Sequence, residues 1–159
     1  MSDDVTLRVM RWWDVERLLP LERELFGVDA WSAETWWGEL AHASPGGDGR
    51  WYVVAEDGGT LIGYAGLSVN GPDGDVMTIA VAPRAQGRGI GARLLDALLD
   101  AARARGATQV LLEVRADNDP AQRLYHRRGF EQIAIRRGYY GDTDGLIFRM
   151  RPVIGSAGD

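Results

Sequence analysis

The chain contains no cysteine and no lysine. Without cysteine there is no disulfide scaffold, no thiolate zinc site and no thiol nucleophile. Without lysine all 18 basic residues are arginine, which stays charged at any ordinary pH. Histidine is scarce as well: His42 and His126 fall one in each half, with no ligand-spaced partner, so no metal site is expected. No apolar run approaches the roughly 20 residues that cross a bilayer, and no membrane partner is expected. The opening MSDDVTLRVM has neither the basic start nor the apolar stretch of a secretory signal. A cytoplasmic protein is therefore expected. A net charge of −5 offers no continuous basic face, which argues against DNA binding.

What is present fits one globular unit. A length of 159 residues corresponds to about one domain, and 45% hydrophobic with 26% charged residues is ordinary globular composition. The charge, however, is split. Residues 1–75 hold 14 Asp and Glu against 5 Arg, a balance of −9, whereas residues 76–159 hold 9 against 13, a balance of +4. Two faces meeting partners of opposite sign would produce this pattern.

Periodicity divides the chain into alternating elements. Residues 5–9 read as a strand, and 13–26 as a helix with Asp14 as N-cap and Pro20 breaking or kinking it. A second helix starts at Ser32 and runs through Trp36, Trp37 and Leu40, and SPGGDG (44–49) is a turn. Strands are expected at 51–56, 60–69 and 75–81, the first two as a hairpin. Ile90, Leu94, Leu95, Leu98, Leu99 and Ala102 recur at helical spacing up to a C-capping Gly106. Strand 109–115 places Val110, Leu112 and Val114 on one face and Leu111, Glu113 and Arg115 on the other. Asn118 or Asp119 caps a further helix ending at Gly129, and strands 130–137 and 145–150 close the chain. One α/β domain over residues 1–152, with a loose tail at 153–159, is the expected organisation. Trp12, Trp13, Trp36 and Trp37 are expected in the helix core, and Trp31, at a helix junction, beside an acceptor groove.

The glycine-rich turn between the strand at 75–81 and its following helix carries the chemistry. In Gln86-Gly87-Arg88-Gly89-Ile90-Gly91-Ala92 the glycines admit close backbone approach, and free N–H groups at the helix start attract phosphate oxygens. Arg84, Arg88 and Arg93 add positive charge. Gly87-x-Gly89-x-x-Ala92 fits a dinucleotide fingerprint, with Glu113 about the ~20 residues downstream where a ribose ligand would stand. Three features oppose that reading. Seventy-four residues precede the strand, Pro83 to Gln86 separate it from the first glycine, and the chain ends in an antiparallel hairpin. There is also no G-K-[ST], so a P-loop is excluded.

Gln86-x-x-Gly89-x-Gly91 resembles the acyl-CoA pyrophosphate loop of the GNAT family of N-acetyltransferases. Leu112-Glu113-Val114-Arg115, Asn118, Leu124-Tyr125 and Arg128-Gly129-Phe130 match that family's second half in order and spacing. LEVRADN and Arg136-Arg137-Gly138-Tyr139-Tyr140 look like the members that acetylate the N-terminal alanine of bacterial ribosomal proteins, as does LERELFGVDAWS near the start. Two departures fall where the family binds its peptide: Gly138 replaces an expected Asn, and the segment Asp144-Gly145-Leu146-Ile147-Phe148 is altered.

The resemblance implies a central, mostly antiparallel mixed sheet of about seven strands with about four helices. It implies acetyl-CoA as donor and no metal, held by Gln86, Gly87, Arg88, Gly89, Ile90, Gly91 and Ala92 at the pyrophosphate. Backbone groups of Ile79, Ala80 and Val81 would hold the pantetheine arm. Asn118 is a helix cap, a cofactor contact, or both. Glu113 reads as a surface carboxylate or a base, and the resemblance makes it the base. Tyr125 reads as packing or as a proton donor to the thiolate, and the resemblance makes it the acid. Tyr139, Tyr140 and Trp31 are candidates for the acceptor lip. The expected acceptor is the basic N-terminus of a ribosomal protein, met by the acidic half of a monomer or weak dimer. Alternatives are acetylation of a small amine or a lysine side chain, and a non-catalytic acyl-CoA sensor.

Overall fold

Short Val-, Leu- and aromatic-rich segments separated by glycine turns pair into one sheet in the computed structural model, which describes residues 4–43 and 49–153. The strands are β1 (Val5–Val9), β2 (Arg50–Asp57), β3 (Thr60–Asn70), β4 (Asp73–Val81), β5 (Gln109–Arg115), β6 (Glu131–Arg136) and β7 (Gly145–Met150). Their order is β1-β2-β3-β4-β5-β7-β6, and every neighbouring pair is antiparallel except β4 and β5. Four helices flank it: α1 (Asp14–Phe26), α2 (Ala33–Ala43), α3 (Ile90–Ala104) and α4 (Asp119–Arg127). The mixed seven-stranded, four-helix domain expected above is thus the observed one. The 44–48 part of the expected turn and residues 154–159 of the expected tail lie outside the described residues.

Strand alternation decides which helices lie where. Gly63 faces Ile90 and Leu94 of α3, so Tyr64, its neighbour, points the other way and meets Glu22 of α1 and Trp36 of α2. Helices α3 and α4 share one face, joined by Arg128 and Asp96 at 2.8 Å. Both end alike. The Ala107 N–H donates to the Ala102 carbonyl and Gly106 to Arg103, as Phe130 does to Tyr125 and Gly129 to His126, so a left-handed glycine closes each helix.

Three expectations for the first helices need correction. Asp14 is not a side-chain cap of α1. Its fully buried carboxylate accepts from Arg8 Nη1 and Nη2 (2.8 and 2.7 Å), from the Arg11 N–H (2.8 Å) and from Arg17 Nη1 (3.1 Å). Pro20 does not break α1, which continues through it to Phe26. Of the four tryptophans assigned to the core only Trp36 is buried, while Trp12, Trp13 and Trp37 are 71%, 51% and 49% exposed. Trp37 lies about 100° around α2 from Trp36, and it is Trp36 whose ring meets Tyr52 and Tyr64. For α2 the expected start holds, with the Thr35 N–H donating to Ser32 Oγ at 3.2 Å.

Close packing on this face depends on a missing side chain. A Cβ at Gly66 would overlap the ring of Tyr52, which is buried and donates its hydroxyl to Glu39 at 2.6 Å. Gly66→Ala should destabilise the fold by about 1–3 kcal/mol, read from urea unfolding midpoints. An unchanged midpoint would show that the ring can move aside.

The functional geometry begins where the sheet comes apart. Strands β4 and β5 pair only through Asp73–Gln109, Gly74–Val110 and Asp75–Leu111. From Val76 to Val81, β4 keeps its β3 partner and has no strand on the β5 side. Opposite this point Gly66 pairs with Thr78 and Leu67 with Val76, leaving Met77 as an extra, bulged residue. A bulge raises local twist and bends the strand, consistent with β4 leaving its neighbour here.

Candidate active site

The split opens a cleft of about 840 Å³ between the diverging strands. It is lined by β4 from Asp75 to Ile79 and β5 from Leu112 to Arg115. Glu22 and Phe26 of α1, Asp29 and Trp31 of the α1–α2 junction, Asn118, Tyr125, Tyr139 and Tyr140 complete it. Sequence reasoning named Ile79, Glu113, Asn118, Tyr125, Trp31, Tyr139 and Tyr140, and the fold brings these seven together. Ala80, Val81 and the Gln86–Ala92 turn lie outside the lining.

Glu113 and Tyr125 reach the cleft from opposite sides of the sheet. Leu112 pairs with Phe148, whose ring lies 6.1 Å from that of Tyr125, so Leu112 faces α4 and Glu113 faces the α1–α2 side. Tyr125 reaches the cleft from α4, buried among Phe130 and Phe148, and burial with the nearby Tyr140 lifts its phenol to about 12. It therefore holds its proton at neutral pH. Arg136 Nη1 donates to Glu113 Oε2 at 3.3 Å, and its guanidinium stacks 4.0 Å from the centre of the Tyr139 ring.

The mouth is tied together by Arg115 at the end of β5. It donates to Asp117 (3.1 Å) and Asp142 (2.7 Å), lies 3.6 Å from Asp29 and packs over the Tyr140 ring. Tyr139 and Tyr140 meet edge to face with centres 5.0 Å apart. Burial, then Glu113, raises the Tyr140 hydroxyl to about 12, while Arg115 opposes the rise. Asn118 is the cap of α4, accepting from the Ala121 N–H at 3.2 Å.

On the far side of the split the glycine turn is built for an anion. Gly87 and Gly89 adopt φ of +82° and +77°, with nothing within 4 Å of where a Cβ would stand. No side chain caps α3, so its first N–H groups remain as donors, and Gln86 Nε2 anchors the turn to the Val81 carbonyl at 3.2 Å. The flanking arginines are already engaged: Arg88 with Asp57 at 3.0 Å and Arg84 with the Leu61 carbonyl at 3.4 Å. Backbone donors thus dominate a site that fits a pyrophosphate.

Sequence reasoning missed Glu22, Phe26, Asp29, Asp75 and Arg115, and the Met77 bulge. Glu22 had a signal. It occupies the position between Leu18 and Phe26 on the apolar stripe of α1, where a carboxylate is out of place.

Comparison with known proteins settles the class. The Acetyltransferase (GNAT) family profile matches residues 8–130. The chain belongs to the GNAT acetyltransferase family. This acetyltransferase is 44% identical over 155 residues to the N-alpha-acetyltransferase RimI of Mycobacterium tuberculosis, covering 94% of this chain and 93% of that one. It is 37% identical over 109 residues to the Escherichia coli [ribosomal protein bS18]-alanine N-acetyltransferase, covering 69% of this chain and 74% of that one. The crystal structure of the E. coli ribosomal-protein-S18-alanine N-acetyltransferase superposes with a TM-score of 0.82 over 98% of both chains at 26% identity. The protein is an acetyl-CoA-dependent N-acetyltransferase. No described helix is long and apolar enough to cross a membrane.

Proposed function

We propose that this acetyltransferase modifies the N-terminal α-amine of a protein, a ribosomal protein of the bS18 type with N-terminal alanine. The observation that carries the reading is the convergence of Glu113 and Tyr125 on one cleft from opposite faces of the sheet, walled on the acceptor side by Trp31, Tyr139 and Tyr140. Relatives with these names at 44% and 37% identity support it.

Acetyl-CoA supplies an activated acetyl thioester. The Gln86–Ala92 amides would hold its pyrophosphate, the Ile79–Val81 backbone its pantetheine amides, and Asn118 the arm nearby. An α-ammonium has a pKa of about 7.7–8.0 against ~10.4 for lysine, so a single carboxylate suffices to neutralise it. Glu113 takes that proton and passes it to solvent, then takes the second as the amine nitrogen bonds to the acetyl carbon. Arg136, with half its side chain in solvent, yields its place on Glu113 Oε2 to the incoming amine. Tyr125 gives its hydroxyl proton to the sulfur as the carbon–sulfur bond breaks, and a phenol near 12 reaches that step fully protonated.

The test offers acetyl-CoA together with three acceptors: a basic peptide with free N-terminal alanine, the same peptide N-terminally blocked but carrying a lysine, and a free polyamine. Mass spectrometry should find one acetyl group on the alanine and none on the other two. Preferential labelling of the lysine or the polyamine would refute the reading.

A further inference from the structure

The cleft has an unusual charge balance. Four carboxylates line it, Glu22, Asp29, Asp75 and Glu113, against Arg115 alone. Asp29 lies 3.6 Å from Arg115, and Glu113 accepts from Arg136. Glu22 is different. Only 2% exposed, it accepts from the Trp31 N–H at 2.9 Å and the Tyr64 hydroxyl at 2.6 Å, both neutral donors. No cationic side chain pairs with it among the described residues. Burial lifts its carboxyl above the ordinary range, and the two donors only partly offset this. A carboxylate taken out of water without a counter-charge is costly, and is kept where something else gains from it.

Glu22 borders the cleft that receives a cationic amine, and its bond to Trp31 fixes the acceptor-side wall, where the Trp31 ring packs 4.9 Å from Trp36. We propose that Glu22 is an acceptor-binding residue, whose carboxylate is the counter-charge for the acceptor's ammonium group and whose grip on Trp31 sets the wall beside it. The inference rests on the reading that an amine acceptor enters this cleft. Glu22 favours the charged amine, so it promotes docking and leaves removal of the proton to Glu113.

Glu22→Gln isolates the charge. The amide oxygen can accept from the Trp31 N–H while the amide nitrogen donates to the Tyr64 oxygen, so shape and both hydrogen bonds persist. The KM for an N-terminal alanyl peptide should rise by about tenfold or more, with kcat and calorimetric acetyl-CoA affinity unchanged. Tyr64→Phe, which keeps the charge and removes one neutral donor, should leave that KM near the wild-type value. An unchanged peptide KM in Glu22→Gln overturns the proposal, as does a joint fall of kcat and acetyl-CoA affinity. Should the variant not fold, the wild-type protein serves. Loaded with CoA, it should bind the alanyl peptide about tenfold more tightly than the analogue whose terminal amine is a hydroxyl, and equal binding overturns the idea. Wild-type protein that acetylates no amine refutes the functional reading, whereas wild-type turnover with an unmoved KM in Glu22→Gln refutes Glu22 alone.

Discussion

Glu113→Gln is expected to lower kcat by roughly a hundredfold or more while leaving acetyl-CoA affinity intact. Glutamine keeps the volume and one hydrogen-bond acceptor for Arg136, so the cleft retains its shape, but it cannot accept the amine proton near neutral pH. Tyr125→Phe should cost at least about tenfold in kcat by the complementary loss, the proton for the departing sulfur. Its ring contacts with Phe130 and Phe148 survive the change, so stability should hardly move. Steady-state rates on an alanyl peptide, with calorimetry for acetyl-CoA, separate chemistry from binding. Rates within twofold of wild type in both variants would remove both residues from the reaction.

Asp14→Ala should destabilise the protein by about 3 kcal/mol at pH 7, the lower end of the range for breaking a buried ion pair. The lower end is chosen because Arg8 and Arg17 are each about a third exposed and retain Glu56 at 2.9 and 3.0 Å. At about 2–4 °C per kcal/mol for a chain of this size, Tm should fall roughly 6–12 °C. Burial opposes ionisation of Asp14, yet the Arg8 hydrogen bonds, the Arg11 N–H and the charges of Arg8 and Arg17 together hold its carboxyl below the ordinary range. A folded-state pKa below the unfolded one contributes stability that is fully present above the unfolded value of about 3.9 and lost as pH falls through the folded value. The gap between wild type and variant should therefore be constant from neutrality down to about pH 5 and narrow below about pH 4. A gap that persists unchanged in acid would mean that Asp14 acts by packing rather than charge.

Those two residues also mark what sequence could and could not reveal. Glu113 was legible because its strand alternates cleanly, so Leu112 and Glu113 had to face opposite ways, and the family resemblance then supplied a role to test. Gly106 and Gly129 were legible because a left-handed residue after a helix favours glycine. Asp14 was misread as a cap because a cap and a buried ion-pair acceptor look identical at a helix start. The choice depended on Arg8 and Glu56, and Glu56 is 42 residues away. Trp12, Trp13 and Trp37 were misplaced because hydrophobicity does not say which way a ring points: Trp12 and Trp13 precede α1, and Trp37 lies about 100° around α2 from the buried Trp36. The cleft itself was the hardest feature. It exists because β4 and β5 share three residue pairs and then part, a matter of register and bulging with no local residue signature.

The strand order carries a consequence for biosynthesis. β7 lies between β5 and β6, although both precede it in the chain. While the polypeptide is being made, β6 has no neighbour to join until Gly145–Met150 has been synthesised, and the strand bearing Glu113 lacks its partner for the same interval. Ile133 and Ile135 are still 43% exposed once β7 is in place, so the nascent β6 presents two isoleucines with both of its edges open. An enzyme whose relatives include modifiers of a ribosomal protein thus completes the wall of its own cleft only after β7, the last strand of the sheet, has been translated.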